Sequence, residues 1–187
     1  PSRSIFEKLF RIVDNGSIDS SVKFIKKNFP LFNIIRLSQN LGFATAVNKG
    51  IENAQGKYIV LLNNDTEADK DFLKFLVKSA DRHPEVGFIA AKMLNFHQRK
   101  FIDSAGDYIN VVGHLYTNGL GEKDGPKFSK EGYLFLVSGG ASLFKRQVFN
   151  KVGLFDEDFF FYMEDADFCL RAQIAGFKGW FEPRAKV

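Results

Sequence analysis

The feature that most constrains the fold of this chain is a continuous apolar run from Tyr58 to Leu62, with Gly56 before it and Asn63-Asn64-Asp65 after it. A short uninterrupted apolar run of this kind predicts a strand that is buried on both faces of a sheet. Two further apolar runs, at 10–13 and 33–37, alternate with segments of helical periodicity at 18–28 and 42–56. Strands that alternate with helices in this way predict parallel βαβ units, and therefore an α/β fold.

The rest of the chain predicts fewer regular elements. We expect a helix over 69–82, a strand over 86–90, irregular strands over 93–130 with a mobile loop around 119–130, and a return to regular structure at 133–137. Two more helices are predicted over 145–151 and 164–175, each stopped by a glycine.

Composition excludes several classes of protein. The 187 residues include 26 Lys or Arg and 22 Asp or Glu, a net charge of +4, and the basic residues are scattered, so nucleic acid is not the expected partner. Nothing approaches the 18 or more apolar residues of a membrane span. A single cysteine, Cys169, cannot form an internal disulfide, which favours the cytosol.

The first candidate site follows the first predicted strand, where the sequence reads VDNGS at 13–17. The carboxyl ends of strands are the places where open α/β sheets bind ligands. Asp14 and Asn15 could bind a nucleobase or ribose there, and Gly16 would let the backbone turn toward it. The same residues also make an ordinary turn and helix cap, and the motif alone does not decide between the two.

The second candidate site is Asn63-Asn64-Asp65, directly after the most hydrophobic strand. Mg²⁺ in proteins commonly takes one or two carboxylates together with substrate phosphates. Asp65 is positioned for that role. A turn that ends the strand and caps the next helix explains the tripeptide equally well.

The third and densest signal is FDEDFFFYMEDADFCLR at 155–171, in which carboxylates alternate with aromatic residues. On a helix that starts near Glu164, Asp167 and Arg171 are four residues apart and can pair. Asp165 points about 100° away from Glu164, so it is free to face a pocket. Acidic residues also favour helix N-termini in general, but that tendency does not explain the phenylalanines.

Taken together and in this order, the motifs resemble the inverting glycosyltransferases of family 2, which have the GT-A fold, and particularly their rhamnosyltransferase-like branch. Five blocks carry the resemblance: VDNGSIDSS at 13–21, NLGFATAVNKGI at 40–51, YIVLLNNDT at 58–66, SGGASLFKRQVF at 138–149 and FDEDFFFYMEDADFCLRAQIAGF at 155–177. The resemblance implies a mostly parallel central sheet flanked by helices.

The resemblance also implies roles for individual residues. Asp165 matches the family's catalytic base in a Glu-Asp pair with Glu164, and Asp65 matches the acid that binds Mg²⁺ or Mn²⁺ on the donor diphosphate, next to Asn64. Asn63 stands where many members have Asp. The residues implied on the nucleotide and sugar side are Asp14, Asn15, Gly16, Asn40, Gly42, Asn48, Gly139 and Gly140.

The implied activity is the transfer of a sugar from a nucleotide-diphosphate donor to a hydroxyl acceptor in a single, metal-assisted displacement. The expected donors are UDP-, dTDP- or GDP-linked sugars, and the expected acceptor is a glycan or a lipid-linked glycan of the cell surface. The expected location is the cytoplasm, with peripheral contact at the inner face of the membrane. The apolar Phe159, Phe160 and Phe161 are expected to surround the base and raise its pKa.

Family members normally begin with one βα unit before the VDNGS strand, and here only twelve residues precede Val13. We therefore expect a single partial domain over 1–187, with residues 1–9 as the tail of the first helix. Residues 1–92 would form its nucleotide-binding part and 93–187 its acceptor and catalytic part.

Three other interpretations remain open from sequence. They are a non-catalytic module of the same fold that binds sugar nucleotides or glycans, a nucleotidyltransferase, and a nucleic-acid-binding role suggested by the charge. Asn15-Gly16-Ser17 and Asn64-Asp65-Thr66 fit the N-glycosylation pattern. Modification there would block the expected donor site, which again favours a cytosolic location.

Overall fold

A computed structural model describes residues 9–187, so the helix expected over 1–9 falls, except for Leu9, outside the described residues. The chain forms two compact units. The first extends to Gly56 and includes Leu154–Glu164, and the second consists of Lys57–Gly153 and Asp165–Val187. The expected division at residue 92, between a nucleotide-binding part and an acceptor and catalytic part, is a division by function and stays a prediction.

The first unit contains two parallel strands, β1 (Arg11–Asp14) and β2 (Asn33–Arg36), and two helices, α1 (Ser21–Asn28) and α2 (Phe43–Asn53). Helix α1 begins three residues later than the periodicity predicts. The reason is local: Asp14 Oδ1 accepts the Ser17 N–H at 3.0 Å, and Asp19 Oδ1 accepts the Ser21 N–H at 2.9 Å. These two turns occupy the residues that were expected to form the first helical turn.

The second unit is built on a six-stranded sheet with a small hairpin beside it. Its strands are β3 (Tyr58–Leu62), β4 (Val86–Leu94), β5 (Ile102–Ser104), β6 (Asp107–Ile109), β7 (Leu115–Thr117), β8 (Gly132–Leu134), β9 (Ala141–Lys145) and β10 (Lys178–Lys186). Its helices are α3 (Phe72–Arg82), α4 (Arg146–Val152) and α5 (Glu164–Ile174), the last beginning at the end of the first unit.

The sheet of the second unit is mixed, which corrects the expectation of a mostly parallel one. Its order is β3-β9-β4-β10-β8, with β5 paired to β4, and only the β4–β10 pairing is parallel. Strand β9 enters between β3 and β4 and runs antiparallel to both. Neither β9 nor β10 was predicted as a strand.

The region 93–130 is more regular than its sequence suggests. Strands β6 and β7 form an antiparallel hairpin in which Asp107 pairs with Thr117. A short 3-10 helix, Pro126–Phe128, follows it. The glycines that obscure the pattern lie in the turns, because Gly106, Gly119 and Gly121 have positive φ angles.

The core of the second unit lies on both faces of the sheet. Leu76 of α3 packs against Ile89 and Leu143 on one face. On the other face the rings of Phe88, Phe144 and Phe168 pack together, with centroid separations of 6.4 and 5.4 Å. Burial of a side chain of this size contributes roughly 1.5–3 kcal/mol, so both layers of helices are held to the sheet.

Within residues 9–187, no helix combines the length and the apolar character that crossing a membrane requires.

The close packing of β10 against β8 predicts unequal effects of two glycine substitutions. A Cβ at Gly179 would lie 2.5 Å from Phe88 Cε2 and 2.7 Å from the Leu134 carbonyl oxygen, whereas a Cβ at Gly132 would meet nothing within 4 Å. We expect Gly179→Ala to lower the free energy of unfolding by about 1–3 kcal/mol. Gly132→Ala should change it by less than about 0.5 kcal/mol. Urea unfolding of both variants measures the difference, and equal effects would contradict this packing.

Candidate functional site

The centre of the candidate site in the second unit is the turn Gly139-Gly140, between β8 and β9. The Gly139 N–H donates a hydrogen bond to Asp165 Oδ2 at 3.0 Å. The Gly140 carbonyl accepts the N–H of Asn63, just after β3, at 2.9 Å. Two successive residues of one turn therefore hold the candidate base and the end of the strand that leads to Asp65.

Gly140 is also restricted by its surroundings. A Cβ at this position would lie 3.2 Å from Met93 Cε, 3.4 Å from Ser138 Oγ and 3.5 Å from Asn63 Nδ2. Its own N–H donates to Ser138 Oγ at 3.1 Å. The turn therefore packs closely against the strand end, and a larger residue would push the Asn63 amide away.

Asp165 lies in the first turn of α5, and each of its two carboxylate oxygens accepts a hydrogen bond from a backbone N–H. In addition to the Gly139 bond, Oδ1 accepts the Ala166 N–H at 2.8 Å. Burial raises the pKa of Asp165 above its ordinary value, and the Gly139 and Ala166 N–H groups oppose that shift. The result is an oriented carboxylate that accepts a proton more readily than an exposed aspartate does.

The chain enters α5 through a strained segment. Tyr162 and Met163 have φ angles of 71° and 77°, in the left-handed region that residues with a side chain rarely adopt. Such conformations cost of order 1–3 kcal/mol each and are concentrated at functional sites. The strain falls directly before Glu164 and Asp165, and Glu164 is itself buried.

Helix α5 is also anchored by the predicted pair of Asp167 and Arg171. Arg171 Nε donates to Asp167 Oδ2 at 2.8 Å, and Arg171 Nη1 donates to the Val152 carbonyl at 2.8 Å. This pairing confirms the prediction from their four-residue spacing.

Asp107 is a further carboxylate that interacts with Asp165, and no sequence motif indicates it. Asp107, the first residue of β6, has a pKa raised to about 6, chiefly by burial and next by the charge of Asp165, while a hydrogen bond from the Thr117 side chain opposes the shift. Its position could not be read from the sequence because it lies in the loosely patterned region, far along the chain from Asp165.

Asp65 faces an open cavity of about 480 Å³ in the second unit. The other residues that line this cavity are Asn64, Thr66, Glu67, Phe96 and His97. Phe96 and His97 were not predicted, because the sequence places the end of β4 at residue 90 and the strand continues to Leu94.

The donor atoms around Asp65 are consistent with a Mg²⁺ or Mn²⁺ ion that is bound only partly by protein. Asp65 supplies an exposed carboxylate at the strand end, with oxygen-bearing amides before it in the chain. Between residues 9 and 187, no three His, Cys, Asp or Glu side chains cluster closely enough to hold a metal by themselves. Such a site suits an ion that takes its remaining ligands from diphosphate oxygens and water.

In the first unit, Asp14 lies at the end of β1 and is buried. Its Oδ1 accepts the Ser17 N–H at 3.0 Å, and its Oδ2 lies 3.2 Å from Nε of Arg36. The carboxylate therefore stabilises the turn after β1 and pairs with the arginine.

Asn15 and Asn40 form a latch between the two loops of the first unit. Asn15 Nδ2 donates to Asn40 Oδ1 at 2.9 Å and to the Gly42 carbonyl at 3.0 Å, and Asn15 Oδ1 accepts the Leu41 N–H at 2.9 Å. The loop with residues 39–42 is thereby fixed against the loop after β1. Both asparagines orient the loops on which the nucleotide site was expected.

Gly16 and Gly42, the two glycines beside Asn15 and Asn40, are required by close contacts within the protein itself. Gly16 and Gly42 have φ angles of 82° and 88°. A Cβ at Gly16 would lie 2.4 Å from the Gln39 carbonyl carbon, and one at Gly42 would lie 2.5 Å from the Phe160 carbonyl oxygen. The close approach that requires glycine at both positions is therefore to backbone, within the first unit.

Asn48, which was expected on the nucleotide side, packs inside the first unit. It is only 1% exposed, and its amide forms a clamp on the segment after Leu154. Nδ2 donates to the Phe155 carbonyl at 2.8 Å and to Glu157 Oε1 at 3.0 Å, and Oδ1 accepts the Phe155 N–H at 3.1 Å. These hydrogen bonds support the segment that leads to α5, and contact of Asn48 with the nucleotide stays a prediction.

Two of the phenylalanines that were expected around the base pack on α2. The Phe160 carbonyl accepts the Phe43 N–H at 2.7 Å, and the Phe161 and Phe43 rings meet edge-on with centroids 6.5 Å apart. The Phe160 and Phe161 side chains are each 57% exposed. These contacts attach the segment with Phe160 and Phe161 to α2, while part of each ring stays open to solvent.

The sequence profile of the family "Glycosyl transferase family 2" matches residues 10–153. The chain belongs to this family. The match includes β1, the latch, Asp65 and the Gly139-Gly140 turn, which were identified above from their geometry.

Curated relatives agree with this assignment. The chain is 26% identical over 184 residues to the poly-β-1,6-N-acetyl-D-glucosamine synthase of Staphylococcus epidermidis. This match covers 96% of the chain and 42% of the relative. It is also 26% identical over 200 residues to the N-acetylglucosaminyl-diphospho-decaprenol L-rhamnosyltransferase of Mycobacterium tuberculosis. That match covers 94% of the chain and 64% of the relative. The chain thus spans less than two thirds of either relative.

Solved structures confirm the GT-A fold. GalNAc-T7, solved with UDP, GalNAc and Mn²⁺, has a TM-score of 0.76 at 15% identity, over 99% of this chain and 38% of that one. The mannosyltransferase PcManGT of Pyrobaculum calidifontis, solved with GDP-Man and Mn²⁺, has a TM-score of 0.62 at 17% identity, over 98% of this chain and 50% of that one.

The supporting role of Asn48 can be tested by stability. Asn48→Ala would remove the buried hydrogen bonds that this amide makes to the Phe155 backbone and to Glu157, so we expect the free energy of unfolding to fall by about 2–4 kcal/mol. Asn53→Ala, on the same helix but exposed, should change it by less than about 0.5 kcal/mol. Chemical unfolding of both variants measures this. Unchanged stability of Asn48→Ala together with weaker nucleotide binding would instead indicate a direct ligand contact.

Proposed function

We propose that this protein is an inverting glycosyltransferase that moves a sugar from a nucleoside-diphosphate donor to a hydroxyl acceptor. The observation that carries the proposal is the Gly139-Gly140 turn, which binds the Asp165 carboxylate through one residue and the Asn63 end of β3 through the next. A base for the acceptor and a carboxylate for the donor phosphates are thereby attached to one rigid turn. Membership of glycosyl transferase family 2 supports the same reaction class.

In the proposed mechanism Asp165 acts as the general base. It accepts the proton of the acceptor hydroxyl as that oxygen forms a bond with the anomeric carbon of the donor sugar. The bond between that carbon and the diphosphate oxygen breaks, and its electron pair leaves on the nucleoside diphosphate. A single displacement on the face opposite to the leaving group inverts the configuration of the anomeric carbon.

Asp65 would hold Mg²⁺ or Mn²⁺ on the donor diphosphate, with Asn64 beside it. When bound, such an ion neutralises the charge that develops on the departing diphosphate. Two structural neighbours solved with Mn²⁺ and a nucleotide or nucleotide sugar support this part of the proposal. Because Asn63 replaces a second acid, we expect the protein to rely on the donor phosphates for much of its metal affinity.

We further propose that the donor nucleotide binds beside the loops latched by Asn15 and Asn40, with Asp14 in contact with its base or ribose. Gly16 and Gly42 let these loops approach each other closely, so the nucleotide would meet a rigid surface. UDP, dTDP and GDP remain the candidate nucleotides. The sugar or acceptor would approach the backbone of Gly139 and Gly140.

A lipid-linked or glycan acceptor and peripheral contact with the inner face of the membrane complete the proposal. The name of the mycobacterial relative, which includes a decaprenol-linked acceptor, supports an acceptor of this kind. In α1, Lys23, Lys26 and Lys27 are exposed and Phe24 is 61% exposed beside them. Exposed lysines next to an exposed ring suit an anionic lipid surface, and we propose a cytoplasmic location at the inner face of the membrane.

The role of the base is tested by Asp165→Asn, measured in the whole gene product with a panel of nucleotide sugars. We expect sugar transfer to fall by about 100-fold or more, because the amide cannot accept the hydroxyl proton. Binding of the nucleoside diphosphate should stay within about twofold, because the nucleotide lies on other residues.

Asp167→Asn is the matched control, since it neutralises a carboxylate two positions along the same helix that pairs with Arg171. Its transfer rate should stay within a few-fold of the parent. Transfer by Asp165→Asn at near the parent rate would contradict the assignment. Donor binding by the parent with no release of nucleoside diphosphate would point to a non-catalytic module instead.

The metal role of Asp65 predicts a loss that depends on the ion. Asp65→Asn should weaken nucleoside diphosphate binding in Mn²⁺ by about tenfold or more, and should change it little in EDTA. Asp69→Asn, an exposed carboxylate close by in the chain, should bind as the parent does under both conditions. Calorimetric titration measures all four cases, and equal affinity of the parent and Asp65→Asn in Mn²⁺ would contradict the assignment.

A further inference from the structure

The hairpin formed by β6 and β7 ends in an exposed apolar tip. Val111 is fully exposed, and Val112 beside it is 71% exposed. Residues 108–118 contain no Asp, Glu, Lys or Arg. A contiguous exposed apolar surface of this kind marks a place where a protein contacts a partner or a membrane.

The backbone of the tip pairs its polar groups within the hairpin. Asn110 Oδ1 accepts the N–H groups of Val112 at 3.0 Å and of His114 at 2.9 Å. The Gly113 N–H donates to the Asn110 carbonyl, and the Asn110 N–H donates to the His114 carbonyl, both at 3.0 Å. A backbone that enters an apolar medium must satisfy its hydrogen bonds internally. These four N–H groups meet that condition, and they are not available to a protein or a sugar.

Polarity rises in order from the tip of the hairpin to its base. Behind the valines the paired residues are first Ile109 and Leu115, then Tyr108 and Tyr116, and last Asp107 and Thr117. Tyrosine is enriched where a membrane meets water, because its ring is apolar and its hydroxyl is polar. The order apolar, aromatic and polar is therefore the order of environments that leads from the acyl chains of a bilayer to water.

The length of the hairpin agrees with this order. Three residues separate Val111 from Tyr108, which corresponds to about 10 Å along a strand. Protein segments that lie in a membrane interface bury their apolar part by about 5–10 Å. The valines can therefore reach the acyl chains while the tyrosines stay among the head groups.

We propose that the β6–β7 hairpin inserts Val111 and Val112 into the surface of a phospholipid bilayer, with Tyr108 and Tyr116 at the level of the head groups. This contact lies in the second unit and is separate from the one proposed for the lysines of α1. It rests on the proposed function in that the acceptor is taken to be lipid-linked.

The hairpin is attached to the candidate active site by its base. Asp107 and Leu136 exchange two backbone hydrogen bonds, at 3.0 and 2.9 Å. Three residues later the same segment reaches Gly139, whose N–H holds Asp165. A bilayer contact of the hairpin would therefore hold the candidate base close to the surface from which a lipid-linked hydroxyl arrives.

The hairpin and α1 should respond differently to lipid charge and to salt. An uncharged tip is held by burial of apolar surface, whereas lysines are attracted to anionic head groups, and salt screens that attraction. We expect the hairpin to bind vesicles of phosphatidylcholine, which have no net charge, equally well at low and at high salt. The contribution of α1 should require an anionic lipid such as phosphatidylglycerol and should decline as salt is added.

The first test is flotation of the full 187-residue chain with phosphatidylcholine vesicles. We expect Val111→Asp to lower the partition coefficient by about tenfold or more, because a charge replaces a buried apolar side chain. Ile174→Asp is the matched control, since it changes an exposed apolar residue on α5 of the same unit, and it should bind as the parent does. Equal partition of the parent and Val111→Asp, or no binding by the parent, would overturn the inference.

The second test locates the contact without adding a charge. The native thiol, Cys169, is buried, so a cysteine introduced as Val111→Cys can be labelled selectively with a nitrobenzoxadiazole fluorophore. On phosphatidylcholine vesicles we expect its emission to rise, to shift to the blue and to be quenched by spin labels on the acyl chains. The same label in Ile174→Cys should show none of these changes. A label at position 111 that stays in water while the chain is bound to vesicles would contradict insertion of the hairpin.

The outcomes separate this inference from the proposed function and from other occupants of the tip. Binding only to anionic vesicles, lost in Lys23→Glu with Lys27→Glu and kept in Val111→Asp, would leave α1 as the membrane contact and overturn the role of the hairpin. A dimer of the parent that Val111→Asp dissociates in the absence of lipid would make the tip an interface between two copies, and would also overturn the inference. Neither outcome changes the role of Asp165, which is tested by the transfer rate of Asp165→Asn.

Discussion

The candidate site depends on the hydrogen bond from the Gly139 N–H to Asp165. A buried carboxylate without donors would be costly and would lack a fixed direction, and this bond supplies both a partner and an orientation. Because the next residue, Gly140, accepts the N–H of Asn63, the turn also fixes the strand end that carries Asp65. The bridge between Asp107 and Leu136 leads into the same turn. Disturbing the turn would therefore affect all three carboxylates.

The fold class could be predicted from sequence, whereas the order and direction of the strands could not. The apolar run at Tyr58–Leu62 forms the strand it predicts. Strand β10 was missed because its buried part contains Glu182 and Pro183, which are unusual in a central strand. Glu182 is 0% exposed and is accommodated by Arg184, whose Nε and Nη2 donate to it at 2.8 and 2.7 Å. Because these charged residues stand within the strand, the sequence of β10 lacks the hydrophobic pattern that predicts a strand.

The parts of the site that could be predicted are those whose geometry depends on residues close together in the chain. The spacing of Asp167 and Arg171 determines their pairing, and the position of Asp65 after a strand determines its exposure at the strand end. The contacts of Asn48 and Asp107 could not be predicted from sequence, because their partners are distant in the chain: Phe155 for the first and Leu136 for the second. An amide that binds a ligand and one that holds a backbone segment look identical in sequence.

The central claim is that Asp165 activates an acceptor hydroxyl for a single displacement at the anomeric carbon. The most direct measurement is the anomeric configuration of the first transferred sugar, read by proton NMR from the coupling constant of the product before it can equilibrate. A single displacement predicts a configuration opposite to that of the donor sugar. Retention of the donor configuration would contradict the account, because it requires a second displacement or a different chemistry at the same face.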